Sequence, residues 1–258
     1  MTAAVSRLGR SANGVIDELG RIAGFAASIL LVTLKPPLRF GEFWTELFKI
    51  GVLSILIICV SGVAVGMVLS LQGYTTLVRF GAENSLGAVV GLSLIRELGP
   101  VLTALLATGR AGSSVTAEIG TMKATEQLDG LRMMAINPVD YVVRPKAWAM
   151  AVAMPLLSAM FITSGIFGGW FVGVKLMGID GGTYMSSMQN AVDFRDDVAG
   201  SLLKAVVFGV LVALISTYRG YTAQPTSSGV SSATTSTVVI ASVSVLIFDY
   251  ILTALWGV

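Results

Sequence analysis

The 258-residue sequence contains no histidine, one cysteine and few charged residues. Without histidine there is no imidazole for general-base, triad or metal chemistry, and the lone Cys59 excludes an internal disulfide or a thiolate metal cluster. Soluble domains contain about 25% charged residues, whereas this chain has 12%, with 54% hydrophobic residues and a mean hydropathy of +0.81. These values predict a membrane protein and argue against most enzyme classes.

Other signals are also missing. The first 20 residues have no apolar core of the kind that a cleavable signal peptide needs, so we expect the N-terminus to be retained. No G-x-x-x-x-G-K-[ST] motif occurs, and the nearest string, GRAGSS at 109–114, lacks the lysine, so we expect no P-loop binding of ATP. The net charge of +2 is too small to indicate a nucleic-acid surface.

Five apolar segments are long enough to cross a bilayer as helices, which takes about 20 residues each. They are residues 50–71, 85–109, 147–174, 198–218 and 234–256. Twelve Lys or Arg residues lie in the N-terminal 49 residues and in the loops after the second and fourth spans, against three in the loops of the opposite side. We therefore predict an all-α integral membrane protein, one domain over residues 1–258, with a cytoplasmic N-terminus and an external C-terminus.

A shorter apolar run precedes the first span. Residues 22–34 are too few to cross, and Pro36 and Pro37 follow them. We expect residues 13–35 to form an amphipathic helix in the interface of the cytoplasmic leaflet, the alternative being a lead-in to the first span. Within the spans, G-x-x-x-G spacing predicts close helix packing. The glycines concerned are Gly62, Gly66, Gly165, Gly169 and Gly173.

Four charges fall inside the predicted spans, namely Arg96, Glu97, Lys204 and Asp249. At about 1.5 Å per residue they share one layer in the outer half of the bilayer. Charges there are costly and mark either an internal ion network or a substrate site. The first interpretation pairs Glu97 with Lys204 and Asp249 with Arg96; in the second, some of them face a cavity and contact a polar headgroup.

The segment between the second and third spans is the most polar. Residues 125–136 are expected to form a short helix capped by Thr125, with Leu128, Leu131 and Ala135 on one apolar stripe, and Asn137-Pro138 is expected to end it. Such a helix outside the membrane either packs on its own bundle or docks into a groove on a cytoplasmic partner.

Several strings resemble the MlaE (YrbE) family of permeases, most closely its proteobacterial phospholipid permeases. They are SLQGY at 70–74, RELGPVL at 96–102, GRAGSSVTAEIGTMKATEQLDGLRMMAINP at 109–138 and MQNAVDFRDD at 188–197. The resemblance covers essentially the whole chain. It implies a homodimeric, non-enzymatic permease subunit of an ABC transporter in the bacterial inner membrane. That transporter moves phospholipids between this membrane and a periplasmic shuttle and maintains outer-membrane lipid asymmetry.

The same resemblance implies partners and sites. ATP and magnesium would be bound by a separate cytoplasmic ATPase, MlaF, supported by the STAS-type protein MlaB, while the MCE-domain protein MlaD would sit on the periplasmic face. The chain itself would hold no cofactor, metal or catalytic residue. Residues 125–136 become the coupling helix, with ATPase contacts at Glu126, Leu128, Leu131 and Arg132. The implied lipid-binding residues are Leu69, Gln72, Tyr74, Leu77, Arg96, Glu97 and Lys204.

Two rival interpretations remain open from the residues alone. A proton-coupled secondary transporter or channel would use Glu97, Lys204 and Asp249 as a relay. A membrane scaffold without transport activity would use the polar segment only to recruit partners.

Overall fold

The computed structural model describes residues 20–33 and 40–256. These residues form nine helices and, within the described ranges, no β-strand. The helices are α1 (Gly20–Thr33), α2 (Phe40–Ile50), α3 (Ile55–Leu77), α4 (Glu83–Ala124), α5 (Gln127–Met133), α6 (Val139–Leu176), α7 (Gly181–Ala191), α8 (Phe194–Thr222) and α9 (Ser227–Trp256). Five segments are long and apolar enough to cross a membrane. The first consists of α2 and α3 together, and the other four are α4, α6, α8 and α9. The predicted all-α fold with five spans is confirmed.

The helices run further than the apolar windows from which they were predicted. The second window ends at residue 109, but α4 continues to Ala124 through Arg110, Glu118 and Lys123. Charged side chains end the part of a helix that suits hydrocarbon, whereas the backbone hydrogen bonds continue equally well in water. We call the end of the bundle at which α4 meets α5 the α5 end, and the opposite end the α7 end.

Helix α1 is attached to the side of the bundle. Its 14 residues span about 21 Å, less than the roughly 30 Å of a bilayer core. Phe25 contacts the rings of Tyr218 and Tyr221 with centroids 5.6 and 5.5 Å away, and Trp148 Nε1 donates to Thr33 Oγ1 at 2.9 Å. Residues 13–19 and 34–35 of the predicted interfacial helix lie outside the described residues. Its place in the membrane interface stays a prediction.

Glycines bring α3 and α6 into close contact. A Cβ atom on Gly66 would overlap the carbonyl oxygen of Gly165, and one on Gly62 would lie 2.7 Å from the Phe161 carbonyl oxygen. Gly168 likewise faces the backbone of Val63. Small residues let two backbones approach and gain dispersion contacts that lipid tails cannot supply. The close packing predicted from the glycine spacing is confirmed, and it lies between two helices of the same chain.

The start of α4 contains a π-helical turn at Leu94–Leu98, just before Pro100. Proline has no N–H to bond the carbonyl four residues back, here that of Arg96, and its ring crowds that carbonyl. The widened turn relieves this crowding, and the Gly99 N–H donates to the Leu94 carbonyl, five residues back. The Arg96 carbonyl oxygen is thereby left available to another donor.

A buried lysine fixes α2 at the α5 end. Lys146 of α6 is 3% exposed, and its Nζ lies 2.9 Å from Glu46 of α2 and 2.7 Å from Glu118 of α4. Arg110 of α4 donates to the Lys49 carbonyl oxygen at 2.9 Å, at the end of α2. Two carboxylates around one buried ammonium satisfy the charge that burial would otherwise penalise. The network therefore joins three helices at one point.

At the opposite end, α7 is anchored by Tyr184, which is fully buried. Its ring packs against Gly173, with 3.2 Å to the position a Cβ would take there, and its hydroxyl has no hydrogen-bond partner. Burial raises the pKa of Tyr184 to about 12, because the phenolate is poorly solvated there.

Candidate functional site

Glu97 and Lys204 meet in the half of the bundle nearer the α7 end. Lys204 Nζ lies 2.8 Å from Glu97 Oε1 and donates to Thr253 Oγ1 at 2.9 Å. It also donates at 3.1 Å to the Arg96 carbonyl oxygen, the one that Pro100 leaves without its helical donor. The predicted Glu97–Lys204 pair is confirmed. The ammonium uses its three donors on α4 and α9 and joins both helices to α8.

The predicted pairing of Arg96 with Asp249 is wrong. Arg96 Nε donates to Asp197 Oδ1 at 2.6 Å, and Asp197 Oδ2 also accepts the Asp193 backbone N–H at 2.8 Å. Asp249 instead lies 3.7 Å from Lys204 Nζ. The span-based reasoning missed Asp197 because it falls one residue before the apolar window that begins at 198. The spacing of Asp197 and Lys204 could have revealed it, since residues seven apart lie on one helix face.

These groups line a small cleft of about 20 Å³ between α4, α8 and α9. Its lining residues are Arg96, Glu97, Asp196, Asp197, Gly200, Ser201, Lys204 and Thr253. A water molecule needs roughly 10–15 Å³, so the cleft has room for one small polar or charged group. About 38% of the side chain of both Arg96 and Glu97 remains exposed. Both side chains are therefore accessible from outside the bundle.

The α3 positions implied by the family resemblance lie apart from this cleft within one chain. Leu69, Tyr74 and Leu77 are half-buried and pack against the core, whereas Gln72 is exposed. None of the four lines the cleft. Within the single chain, the structure thus brings together Arg96, Glu97 and Lys204 of the seven predicted lipid-binding residues, and their joint role with the α3 residues stays a prediction.

The helix predicted at 125–136 is shorter, spanning Gln127–Met133. The predicted Thr125 cap is wrong, because the Thr125 hydroxyl donates back to the Thr121 carbonyl oxygen at 2.9 Å and closes α4. Glu126 and Ala135 have positive φ angles of 58° and 59°, which lie in the left-handed region and interrupt helix on either side of α5.

Only part of the predicted coupling surface is accessible. Leu128 is 3% exposed and belongs to the core, and Leu131 packs against it, so this stripe docks on the chain's own bundle. Arg132 is exposed and donates to Asp129 Oδ1 and to the Tyr221 hydroxyl, both at 2.7 Å. Sequence reasoning missed the most exposed apolar residues of this surface, which follow the stripe. They are Met133 and Met134, 85% and 64% exposed.

No group of three or more Cys, Asp or Glu side chains in the described ranges is arranged to hold a metal ion.

The chain has a charged cleft near the α7 end and an exposed helix at the α5 end. The 27 residues from Glu97 to Ala124 rise by about 1.5 Å each, so the two features lie about 40 Å apart along α4.

Comparison with known proteins places these features in a family. Residues 43–255 match the family model described as Permease MlaE. The chain is 51% identical to the intermembrane phospholipid transport system permease protein MlaE of Haemophilus influenzae, over 97% of this chain and 96% of the relative. It is 38% identical to a probable ABC transporter permease protein of Rickettsia bellii, over 96% of both chains. It is also 32% identical to the chloroplastic protein TRIGALACTOSYLDIACYLGLYCEROL 1 of Arabidopsis thaliana, over 89% of this chain and 65% of the relative. The chain is therefore a multi-pass membrane protein that belongs to the MlaE permease family.

Proposed function

We propose that this chain is the permease subunit of an ABC-type system that moves phospholipids between the bacterial inner membrane and a periplasmic MCE-protein shuttle. The observation that carries this proposal is the 51% identity to a phospholipid transport permease over nearly the whole chain. The charged cleft supports it, because charges at membrane depth are costly and serve either an ion network or a substrate. A headgroup that contacts Arg96, Glu97 and Lys204 supplies such a substrate.

The functional unit in this proposal is a homodimer with a central lipid cavity. Only 22% of the apolar window of α3 and 11% of that of α9 is buried, against 50% in α4 and α8. These two helices leave the largest apolar faces open, and a second copy of the chain would cover them. Leu69, Gln72, Tyr74 and Leu77 of α3 would then line the cavity wall for acyl chains.

The α5 end faces the cytoplasm in this proposal, in agreement with the excess of Lys and Arg there. Glu126 and Arg132, together with the exposed Met133 and Met134, would contact the ATPase subunit, MlaF, which binds ATP and magnesium and is supported by MlaB. The C-terminus and α7 would face the periplasm and the MCE-domain protein MlaD. ATP hydrolysis would thus act about 40 Å from the lipid cleft.

The proposal is tested by reconstitution. The chain, purified with its associated subunits, is placed in vesicles containing a deuterated phospholipid, and lipid transfer to acceptor protein is followed by mass spectrometry. We expect transfer to require ATP and to be insensitive to an imposed proton gradient. Transfer that follows the proton gradient without nucleotide would instead favour a secondary transporter that uses Glu97, Lys204 and Asp249 as a relay.

Two matched carboxylate variants distinguish a role of the cleft in lipid transfer from a role of other carboxylates at the α7 end. Glu97→Gln should lose most transfer, whereas Glu83→Gln, at the start of α4 and outside the cleft, should retain it. Equal activity of both variants contradicts a substrate role for the cleft.

A further inference from the structure

The cleft between α4, α8 and α9 carries more negative than positive charge. Its lining contains two cations, Arg96 and Lys204, and three carboxylates. Two of the carboxylates are used in ion pairs, Asp197 with Arg96 at 2.6 Å and Glu97 with Lys204 at 2.8 Å. Among the described residues, no cation forms an ion pair with the third, Asp196, which is exposed. Asp249, 3.7 Å from Lys204, adds a further acidic group to the same layer.

An unpartnered hydroxyl also lines the cleft. Ser201 is 3% exposed, and its Oγ has no hydrogen-bond partner. Buried polar groups are normally hydrogen-bonded because the loss of water costs free energy. Ser201 lies one helical turn from both Asp197 and Lys204 on α8, so its hydroxyl shares their face of the helix. A ligand group that enters the cleft would supply the missing partner.

We propose that this cleft selects phospholipids whose headgroup carries both a phosphate and a primary ammonium, in preference to anionic phospholipids and to choline phospholipids. The proposal rests on the proposed function in lipid transport and names the substrate class of the same site. The negative excess disfavours a headgroup with net negative charge. A primary ammonium group can donate hydrogen bonds to the carboxylate and hydroxyl oxygens that line the cleft, whereas a trimethylammonium group cannot.

The arrangement supplies a partner for each end of such a headgroup. Arg96 uses Nε for Asp197, which leaves its two terminal amino groups to donate to a phosphate. The carboxylate of Asp196 and the hydroxyl of Ser201 accept hydrogen bonds from the ammonium. A choline group has no N–H to donate, and a glycerol headgroup has no charge to pair with Asp196. Asp196 and Ser201 are therefore specificity-determining residues in this proposal.

The test is a competition for binding. The full chain, purified with its associated subunits and stripped of lipid by detergent exchange, is incubated with equimolar dioleoyl phosphatidylethanolamine, phosphatidylglycerol and phosphatidylcholine in mixed micelles. The protein is re-isolated, and the retained lipid is quantified by mass spectrometry. We expect phosphatidylethanolamine to be retained at least about threefold over each of the other two, within the range that one exposed ion pair supports.

Two variants address the two features separately. Asp196→Asn should lower the ratio of retained phosphatidylethanolamine to phosphatidylglycerol by about two- to fivefold, because the unpaired negative charge is lost. Ser201→Ala should lower the ratio of phosphatidylethanolamine to phosphatidylcholine and leave that of phosphatidylcholine to phosphatidylglycerol unchanged. Glu83→Gln removes a carboxylate outside the cleft and should change neither ratio.

The outcomes distinguish this proposal from the proposed function. Equal retention of the three lipids by the unmodified chain, or unchanged ratios in Asp196→Asn, would overturn the headgroup selectivity and leave phospholipid transport intact. Failure of every form to retain any phospholipid would instead contradict the proposed function. Size-exclusion profiles identify any variant that loses lipid because it no longer assembles. If Asp196→Asn fails in this way, Asp196→Glu, which keeps the charge, is measured instead and should show the ratios of the unmodified chain.

Discussion

Lys204 and Glu97 form an ion pair of 2.8 Å that joins α8 to α4, and the Thr253 hydroxyl of α9 lies within hydrogen-bond distance of both partners, at 2.9 and 3.2 Å. Three helices thus converge on one ammonium group. Any movement that separates α8 from α4 or α9 must break at least one of these contacts. The pair is therefore placed to respond both to helix movement and to a charged ligand in the cleft.

Replacement of Glu97 by arginine should abolish lipid transfer while the complex still assembles. The variant puts a second cation beside Lys204 and alters the field that a phosphate group meets. Because Glu97 is 38% exposed, we expect a loss of stability of about 1–3 kcal/mol, below the roughly 3–5 kcal/mol of a fully buried pair. Transfer assays and melting curves measure the two effects. The double exchange Glu97→Lys with Lys204→Glu should recover stability without transport; full recovery of transport would show that the pair is only structural.

Replacement of Gly66 by alanine should destabilise the bundle. The added methyl would overlap the Gly165 carbonyl oxygen, which belongs to backbone and cannot rotate away. Overpacking of this kind costs about 1–3 kcal/mol or more. Gly24→Ala is the matched control, because no atom lies within 4 Å of the added Cβ in α1. Thermal unfolding in detergent compares the two, and equal melting temperatures would contradict the close α3–α6 packing.

Changes of charge on α5 and at Glu126, which directly precedes it, should uncouple ATP hydrolysis from lipid transfer. Glu126→Arg and Met133→Asp change exposed side chains, so their folding cost should stay within about 0.5 kcal/mol. Arg132→Glu should cost somewhat more, because Arg132 bonds both Asp129 and Tyr221. Tyr221→Phe removes only that second bond and separates the internal role of Arg132 from a contact with a partner. The ratio of lipid transfer to ATP hydrolysis, measured on the same preparations, shows whether the two remain coupled. Coupling retained in both Glu126→Arg and Met133→Asp would exclude this surface as the contact with the ATPase subunit.

Tyr184 predicts an alkaline dependence of stability. Its folded pKa of about 12 lies above the ordinary value of 10, so the neutral phenol is favoured in the folded state. The resulting contribution is fully present below pH 10 and is lost as the pH rises from 10 toward 12. Tyr184→Phe removes the titrating group and an unpartnered buried hydroxyl, so it should melt at or above the temperature of the unmodified chain at pH 8 and lose less stability at pH 11. A lower melting temperature at pH 8 would indicate a partner for the hydroxyl.

The long apolar segments of the sequence predict the five spans, and the G-x-x-x-G spacing predicts the close helix packing. The isolated charges within the spans predict the Glu97–Lys204 pair. The partner of Arg96 was missed because Asp197 lies one residue before the apolar window that begins at 198, although its spacing of seven residues from Lys204 places both on one helix face. The apolar stripe of Leu128 and Leu131 was ambiguous, since a helix face that packs internally and one that binds a partner have the same spacing. Only the fold decides which of them is covered.

The continuity of α4 has a mechanical consequence. The helix extends over 42 residues, or about 63 Å, without an intervening loop, from the α7 end to the residues that precede α5. A rigid tilt of about 5° about the Ala124 end would therefore displace Glu97, about 40 Å away, by on the order of 3 Å. That displacement is comparable to the whole length of the Glu97–Lys204 contact. A movement of that size would therefore be sufficient to break the 2.8 Å contact between Lys204 Nζ and Glu97 Oε1 that closes one side of the cleft.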